Sequence, residues 1–189
     1  AERLGVNPDT PTLLVTGGSL GALHVNESMT GAADALPEGA QVVHLTGRGK
    51  DEPVRAAVEK AGLSDRWHVI DYLTTMEDAL AVADLVVCRS GAGTVAEMEA
   101  LGLPCIYVPL PIGNGEQRLN AADHVAAGGA QLIDDKDFTA DFVRRNVFPL
   151  LGSTRLADMA AASQSLGRAG AARALADLAF EQVKGAGHE

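Results

Sequence analysis

Six short apolar runs, none with a polar alternation, constrain this chain more than any other feature. They are Thr12–Thr16, Gln41–Leu45, Trp67–Asp71, Asp84–Cys88, Pro104–Val108 and Ala130–Asp134. A strand with one wet face alternates apolar and polar residues; a continuous apolar run is covered on both faces. Helical patterns separate the runs: from the turn after Thr16 to about Leu36, then Lys50–Ala61, Met76–Ala83, Thr94–Leu101 and Glu116–Ala127, with a helical pattern from Phe138 onward. Strands alternating with helices build right-handed βαβ units and a parallel sheet. The expected fold is α/β, an open, doubly wound sheet of about six parallel strands with a C-terminal helical tail. Residues 1–11, containing Asn7-Pro-Asp-Thr-Pro11, read as a linker, residues 12–152 as the sheet domain, and residues 153–189 as C-terminal helices of the same domain. A chain that opens on a linker and ends on a helical tail is expected to belong to a larger protein.

Composition agrees with one Rossmann-like domain. A chain of 189 residues can bury roughly 70% of its unfolded surface without disulfide staples. Apolar residues are 47% of the chain and aromatics 4%, so the core is aliphatic. The net charge of −10 argues against nucleic acid and against direct contact with an anionic membrane, both of which select Lys/Arg clusters. No apolar stretch reaches the roughly 20 residues that span a bilayer. Ala1-Glu-Arg-Leu-Gly-Val6 has no apolar signal region, which gives a cytoplasmic expectation. Cys88 and Cys105, each in a strand run, read as buried free thiols in a reducing compartment. Neither they nor the five scattered histidines have metal-ligand spacing.

Ligands of open parallel sheets bind at the carboxyl ends of the strands. Gly17-Gly-Ser-Leu-Gly21 follows the first strand. It reads either as a phosphate-approaching turn with the Ser19 hydroxyl, or as an ordinary glycine turn in which Ser19 caps the next helix. Its spacing is not G-x-G-x-x-G, and His44-Leu-Thr-Gly47 stands where a nicotinamide site places an acidic residue. No Walker A sequence is present. Cys88-Arg-Ser-Gly-Ala-Gly-Thr-Val-Ala-Glu97 follows the fourth strand and brings backbone N–H groups and hydroxyls to a helix start. Within it, Glu97 is balanced between two readings. It could accept hydrogen bonds from a ribose diol, or Thr94-Val-Ala-Glu97 could be a capping box. Pro109–Ala121 follows the fifth strand and delivers Glu116, Gln117 and Asn120, which suit sugar hydroxyls or helix capping. Asp135-Lys-Asp137 has the DxD spacing of a metal–diphosphate motif but reads as a capping turn. Of the histidines, only His24 is placed near the ligand-binding ends.

Gly17–Ala22, Cys88–Glu97, Gly102-Leu-Pro104, Val108-Pro-Leu-Pro111 and Glu116–Ala121 occur in order. Together they resemble the C-terminal, donor-binding domain of the MurG family of peptidoglycan glycosyltransferases, over about residues 12–134. The resemblance implies one half of a two-domain GT-B fold that holds UDP-N-acetylglucosamine (UDP-GlcNAc). Uracil is expected beside Leu73, the ribose diol at Glu97, the diphosphate at Ser19 and Gly91–Thr94, and the sugar at Glu116, Gln117 and Asn120. The donor-binding set so assigned is Ser19, Leu73, Arg89, Ser90, Gly91, Ala92, Gly93, Thr94, Val95, Ala96, Glu97, Glu116, Gln117 and Asn120. Glu116 stands where relatives carry Gln or His, leaving Gln117 as the sugar contact. The family's N-terminal domain, with its acceptor site and membrane patch, has no counterpart in this sequence. No catalytic residue, metal or cofactor is therefore assigned. The implied function is donor binding in GlcNAc transfer to undecaprenyl-diphospho-muramoyl-pentapeptide (lipid I to lipid II), at the cytoplasmic membrane face, with lipid I held by the missing domain. Another UDP-sugar enzyme of the same architecture, a split glycosyltransferase or a UDP-GlcNAc 2-epimerase, is the competing reading.

Overall fold

The computed structural model describes residues 1–18, 21–112 and 114–166. Six strands form one parallel sheet: β1 Thr12–Thr16, β2 Gln41–Leu45, β3 Trp67–Ile70, β4 Leu85–Cys88, β5 Cys105–Tyr107 and β6 Ala130–Leu132, in the order β3-β2-β1-β4-β5-β6. This is the doubly wound Rossmann order, whose direction of winding reverses between β1 and β4. Both faces are covered, as the unalternating runs require. Leu13, Val15, Val42, Val87 and Ile106 point into one core with Trp67, Phe138 and Phe148. Their neighbours Leu14, Val43, Val86, Cys88, Cys105 and Tyr107 point into the other.

The helices are α1 Leu23–Thr30, α2 Asp51–Lys60, α3 Met76–Val82, α4 Ala92–Leu101, α5 Glu116–Asn120, α6 Ala122–Ala126, α7 Ala140–Phe142 and α8 Thr154–Leu166. Four expectations are corrected. The first helix stops at Gly31 and gives way to a 3₁₀ turn at Ala33–Ala35 instead of running to Leu36. α4 starts two residues earlier than its pattern indicated. The helix expected over Glu116–Ala127 is two short helices that meet at Ala121. The segment after Phe138 reaches α8 through a wide π-type turn, Val143–Val147, and a 3₁₀ turn, Phe148–Leu150, that contains Pro149. Proline has no N–H to donate, so a regular helix does not pass through it. The tail reading beyond residue 166 lies outside the described residues.

Residues read as a linker pack on the domain. Leu4 and Val6 are buried in the second core, Arg3 pairs with Asp78, and the Gln41 side chain bonds both the N–H and the carbonyl of Asn7. Two buried polar chains fasten the layers. Trp67 Nε1 donates to His44 Nδ1 (3.3 Å), His44 Nε2 donates to Asn26 Oδ1 (3.0 Å), and Asn26 Nδ2 donates to the Thr46 carbonyl (3.0 Å). On the other face the Tyr107 hydroxyl donates to His124 Nδ1 (2.9 Å). His124 Nε2 donates to Ser163 Oγ (2.7 Å), which donates onward to the Gly129 carbonyl (3.2 Å). Every polar atom in these chains has a partner, which is the condition for burying it. The second chain ties α8, through Ser163, to His124 of α6 and to the Gly129 carbonyl just before β6.

Candidate donor-binding site

Two neighbouring cavities lie at the carboxyl edge of the sheet. The first, about 260 Å³, sits where the winding reverses, between the turns after β1 and β4. Leu45, Leu73, Met76, Val86 and Met98 line it with the Tyr72 ring, while Thr16, Gly18, Arg89, Thr94 and Glu97 supply its polar groups. The second, about 470 Å³, is lined by Pro109–Ile112, Asn114–Arg118 and Asp134–Lys136. Ligand cavities usually exceed about 300 Å³, so the first on its own would enclose only part of a ligand of that class, and the second is large enough to hold more.

The turn after β1 accepts only glycine at two points. A Cβ on Gly17 would meet the Ala22 nitrogen at 2.2 Å, and one on Gly21 would meet the Thr46 carbonyl oxygen at 2.1 Å. α1 begins at Leu23, after Ala22, with no side-chain cap. Ser19, assigned to the diphosphate by resemblance, lies outside the described residues.

α4 decides between the two readings of Glu97. Its cap is Gly91, in extended conformation, and no side chain caps it. Thr94 is therefore the third residue of the helix, and Glu97 sits in the second turn, not the first. A capping box needs Thr94 at the cap and Glu97 three residues in, so that alternative is corrected by the helix start. The Glu97 side chain is exposed at the cavity wall. The N–H groups of Ala92, Gly93 and Thr94 precede the first intrahelical bond, Val95 N–H to the Gly91 carbonyl, and point out of the helix start with its partial positive charge. Ser90 is buried, and its Oγ has no partner among the described residues. Val95 is packed in the core and Ala96 lies on the helix surface; neither lines a cavity.

The sugar-side residues do not cap α5, whose cap is Gly115 without a side-chain bond. Gln117 Oε1 accepts the Leu110 N–H (2.9 Å), Asn120 Nδ2 donates to the Ser90 carbonyl (3.1 Å), and Glu116 accepts from Asn114 Nδ2 (3.1 Å). Gln117 and Glu116 line the second cavity; Asn120 instead ties α5 to the Cys88–Glu97 segment. Asp135 is not a cap either: it accepts from Arg89 Nη1 (2.5 Å). No group of three or more His, Cys, Asp or Glu able to hold a metal occurs among the described residues. His24 lines neither cavity. Cys88, on the floor of the first cavity, is hydrogen-bonded with Cys105 and buried, and both effects push its thiol up and keep it protonated.

Tyr72, Met76 and Met98 were not anticipated in the cavity. Tyr72, two residues past β3, lies where the carboxyl-end rule applies and could have been found by it, whereas the two methionines are only visible once α3 and α4 are placed over the sheet.

Comparison with known proteins matches this geometry. Residues 12–177 fit the model of the glycosyltransferase family 28 C-terminal domain. The chain is 50% identical over 164 residues to the UDP-N-acetylglucosamine–N-acetylmuramyl-(pentapeptide) pyrophosphoryl-undecaprenol N-acetylglucosamine transferase of Bifidobacterium adolescentis, covering 80% of this chain and 42% of that protein. It is 46% identical over 184 residues to the Paenarthrobacter aurescens protein of the same name, covering 95% of this chain and 48% of that one. The chain thus spans about half the length of these curated relatives. The crystal structure of Acinetobacter baumannii MurG superposes with a TM-score of 0.82 at 28% identity, over 94% of this chain and 52% of that one. With its sheet order, its helical C-terminal region and its domain match in agreement, the chain belongs to the glycosyltransferase family 28 C-terminal domain family and forms one Rossmann-like half of a GT-B fold.

Proposed function

We propose that this chain is the donor-binding half of an N-acetylglucosaminyltransferase that moves GlcNAc from UDP-GlcNAc to undecaprenyl-diphospho-muramoyl-pentapeptide. The observation that carries the reading is the pairing of Leu73 and Glu97 across one cavity at the winding reversal, beside the uncapped start of α4. Uracil packs on the Leu73 and Tyr72 side, the Glu97 carboxylate accepts from the ribose diol, and the Ala92–Thr94 N–H groups meet the diphosphate. Gln117 and Glu116 face GlcNAc in the second cavity, while Asn120 supports them from the Ser90 carbonyl. Hydrogen bonds to charged groups contribute about 1.5–3 kcal/mol each, so a few of them with base packing reach micromolar affinity.

Inverting transfer also needs a base to activate the acceptor hydroxyl while the departing UDP is stabilised. The proposed roles of this half are to hold donor and to stabilise UDP; the base and the lipid acceptor belong to a second domain, which also makes the membrane contact at the cytoplasmic face. No helix among the described residues is long and apolar enough to cross a membrane.

Calorimetric titration with UDP-GlcNAc, UDP-glucose and NAD tests the reading. UDP-GlcNAc is expected to bind most tightly and NAD not to bind. Equal affinity for all three overturns sugar-nucleotide selectivity, and lipid II synthesis by this chain alone overturns the division of labour.

A further inference from the structure

The DxD spacing at Asp135-Lys-Asp137 finds no use in the donor reading, yet Asp135 makes the most enclosed ion pair among the described residues. Arg89 Nη1 donates to the carbonyls of Val108 (3.0 Å) and Pro109 (3.1 Å) and to Asp135 Oδ1 (2.5 Å). The two side chains are only 14% and 16% exposed. All three acceptors come from the ends of β5 and β6, on the sugar side. Arg89 itself follows β4 and lines the nucleotide cavity, where it is the one cation as Glu97 is the one anion among the described lining residues. All three of its bonds use Nη1. Asp135 lines the second cavity with Pro109 and Gln117. The Arg89–Asp135 pair therefore joins a lining residue of the first cavity to a lining residue of the second.

A guanidinium presents its donors in a fixed fork, so fixing one edge fixes the direction of the other. The Asp135 carboxylate also offsets part of the Arg89 charge, weakening its pull on a bare diphosphate. Removing that carboxylate has opposite effects in the two cavities. On the nucleotide side Arg89 becomes a freer cation. On the sugar side Arg89 loses the charge that fixes it on the Val108 and Pro109 carbonyls, next to Leu110, whose N–H Gln117 accepts.

We propose that Asp135 is a positioning residue that acts through Arg89 to couple the sugar loop to the nucleotide segment, setting the preference for the sugar-bearing nucleotide over bare UDP. The proposal rests on the donor-binding reading above. The test is calorimetry with UDP and with UDP-GlcNAc on the wild-type chain and on Asp135→Asn, Asp135→Glu and Asp137→Asn, with thermal melts of each. In Asp135→Asn the preference for UDP-GlcNAc over UDP is expected to fall by about fivefold or more, the lower end of coupling between sites. UDP alone should bind no more weakly than to wild type. Asp135→Glu, which keeps the carboxylate, should recover the preference to within about twofold, and Asp137→Asn should leave it within about twofold, on the same scale. An Asp135→Asn chain that melts as wild type and keeps its preference overturns the coupling alone. Parallel loss of both ligands reduces Asp135 to a structural role, and an equal effect in Asp137→Asn points to a metal motif; either outcome overturns the proposal. Wild type that binds neither ligand overturns the donor-binding reading and the coupling with it.

Discussion

The Arg48 guanidinium carbon lies 3.9 Å from the centre of the Tyr72 ring, and that ring is a wall of the first cavity. Tyr72 is 42% exposed, so packing alone does not hold it. Arg48 is held in turn by its loop, where the Gly49 N–H donates to Asp71 Oδ1 (2.6 Å). The stack therefore restrains the ring in the cavity lining. An exposed cation–π contact contributes about 0.5–1 kcal/mol. Arg48→Ala is expected to weaken UDP about two- to fivefold with little change in melting temperature, and Tyr72→Ala to weaken it more. In the Tyr72→Ala background Arg48→Ala should have no further effect, because the residues act as a pair. Additive losses in a double-mutant cycle would show that Arg48 acts on the ligand directly.

The role of Glu97 is separable from helix stability. Because α4 is capped by Gly91 and Glu97 sits in its second turn, the carboxylate has no capping bond to lose. Glu97→Ala is expected to weaken UDP by roughly 10- to 150-fold, the equivalent of about 1.5–3 kcal/mol for a charged hydrogen bond. It should leave 2′,3′-dideoxy-UDP binding unchanged. The unfolding free energy should move far less than the roughly 1 kcal/mol that deleting a cap removes. A large loss of stability with equal effects on both nucleotides would return Glu97 to a structural role.

How much of this was legible in the residues follows physical lines. Unalternating runs such as Leu13-Leu-Val15 can only be central parallel strands, so the sheet and its ligand edge could be read directly. The ends of elements could not. Thr94 looks like a cap because Thr and Glu three apart also spell a capping box, but the glycine at 91 takes the extended conformation that starts the helix earlier. Gln117 and Asn120 looked like capping groups for the same local reason, and their actual partners, Leu110 and Ser90, are set by tertiary placement. The Arg89–Asp135 pair joins residues 46 apart, a separation that no local pattern encodes. The polar residue His44 inside a buried strand was visible, but its use was not.

That use gives a pH dependence. His44 is fully buried between Trp67 and Asn26. The indole N–H needs an acceptor at Nδ1, so the ring is neutral with its proton on Nε2. Burial lowers its pKa from the usual 6.5 to about 3; His124 and His68 are lowered for the same reason. Between pH 6.5 and 3 the unfolded chain then binds a proton at His44 that the folded chain refuses. Stability therefore rises with pH across that window and is lost as pH falls below the ordinary histidine value. One such group contributes a slope of up to about 1.4 kcal/mol per pH unit. Below the ordinary carboxylate range Asp34, Asp51 and Asp78, each lowered mainly by a side-chain hydrogen bond, act in the same direction. His44→Gln retains a donor for Asn26 and an acceptor for Trp67 but cannot titrate. Urea unfolding at intervals from pH 4.5 to 7.5 is expected to give a less stable His44→Gln chain at neutral pH, with a shallower decline toward acid. The difference in slope near pH 5 should approach about 1.4 kcal/mol per pH unit. Parallel profiles would mean that His44 takes up its proton in the folded state, which the Trp67–His44–Asn26 chain of hydrogen bonds forbids.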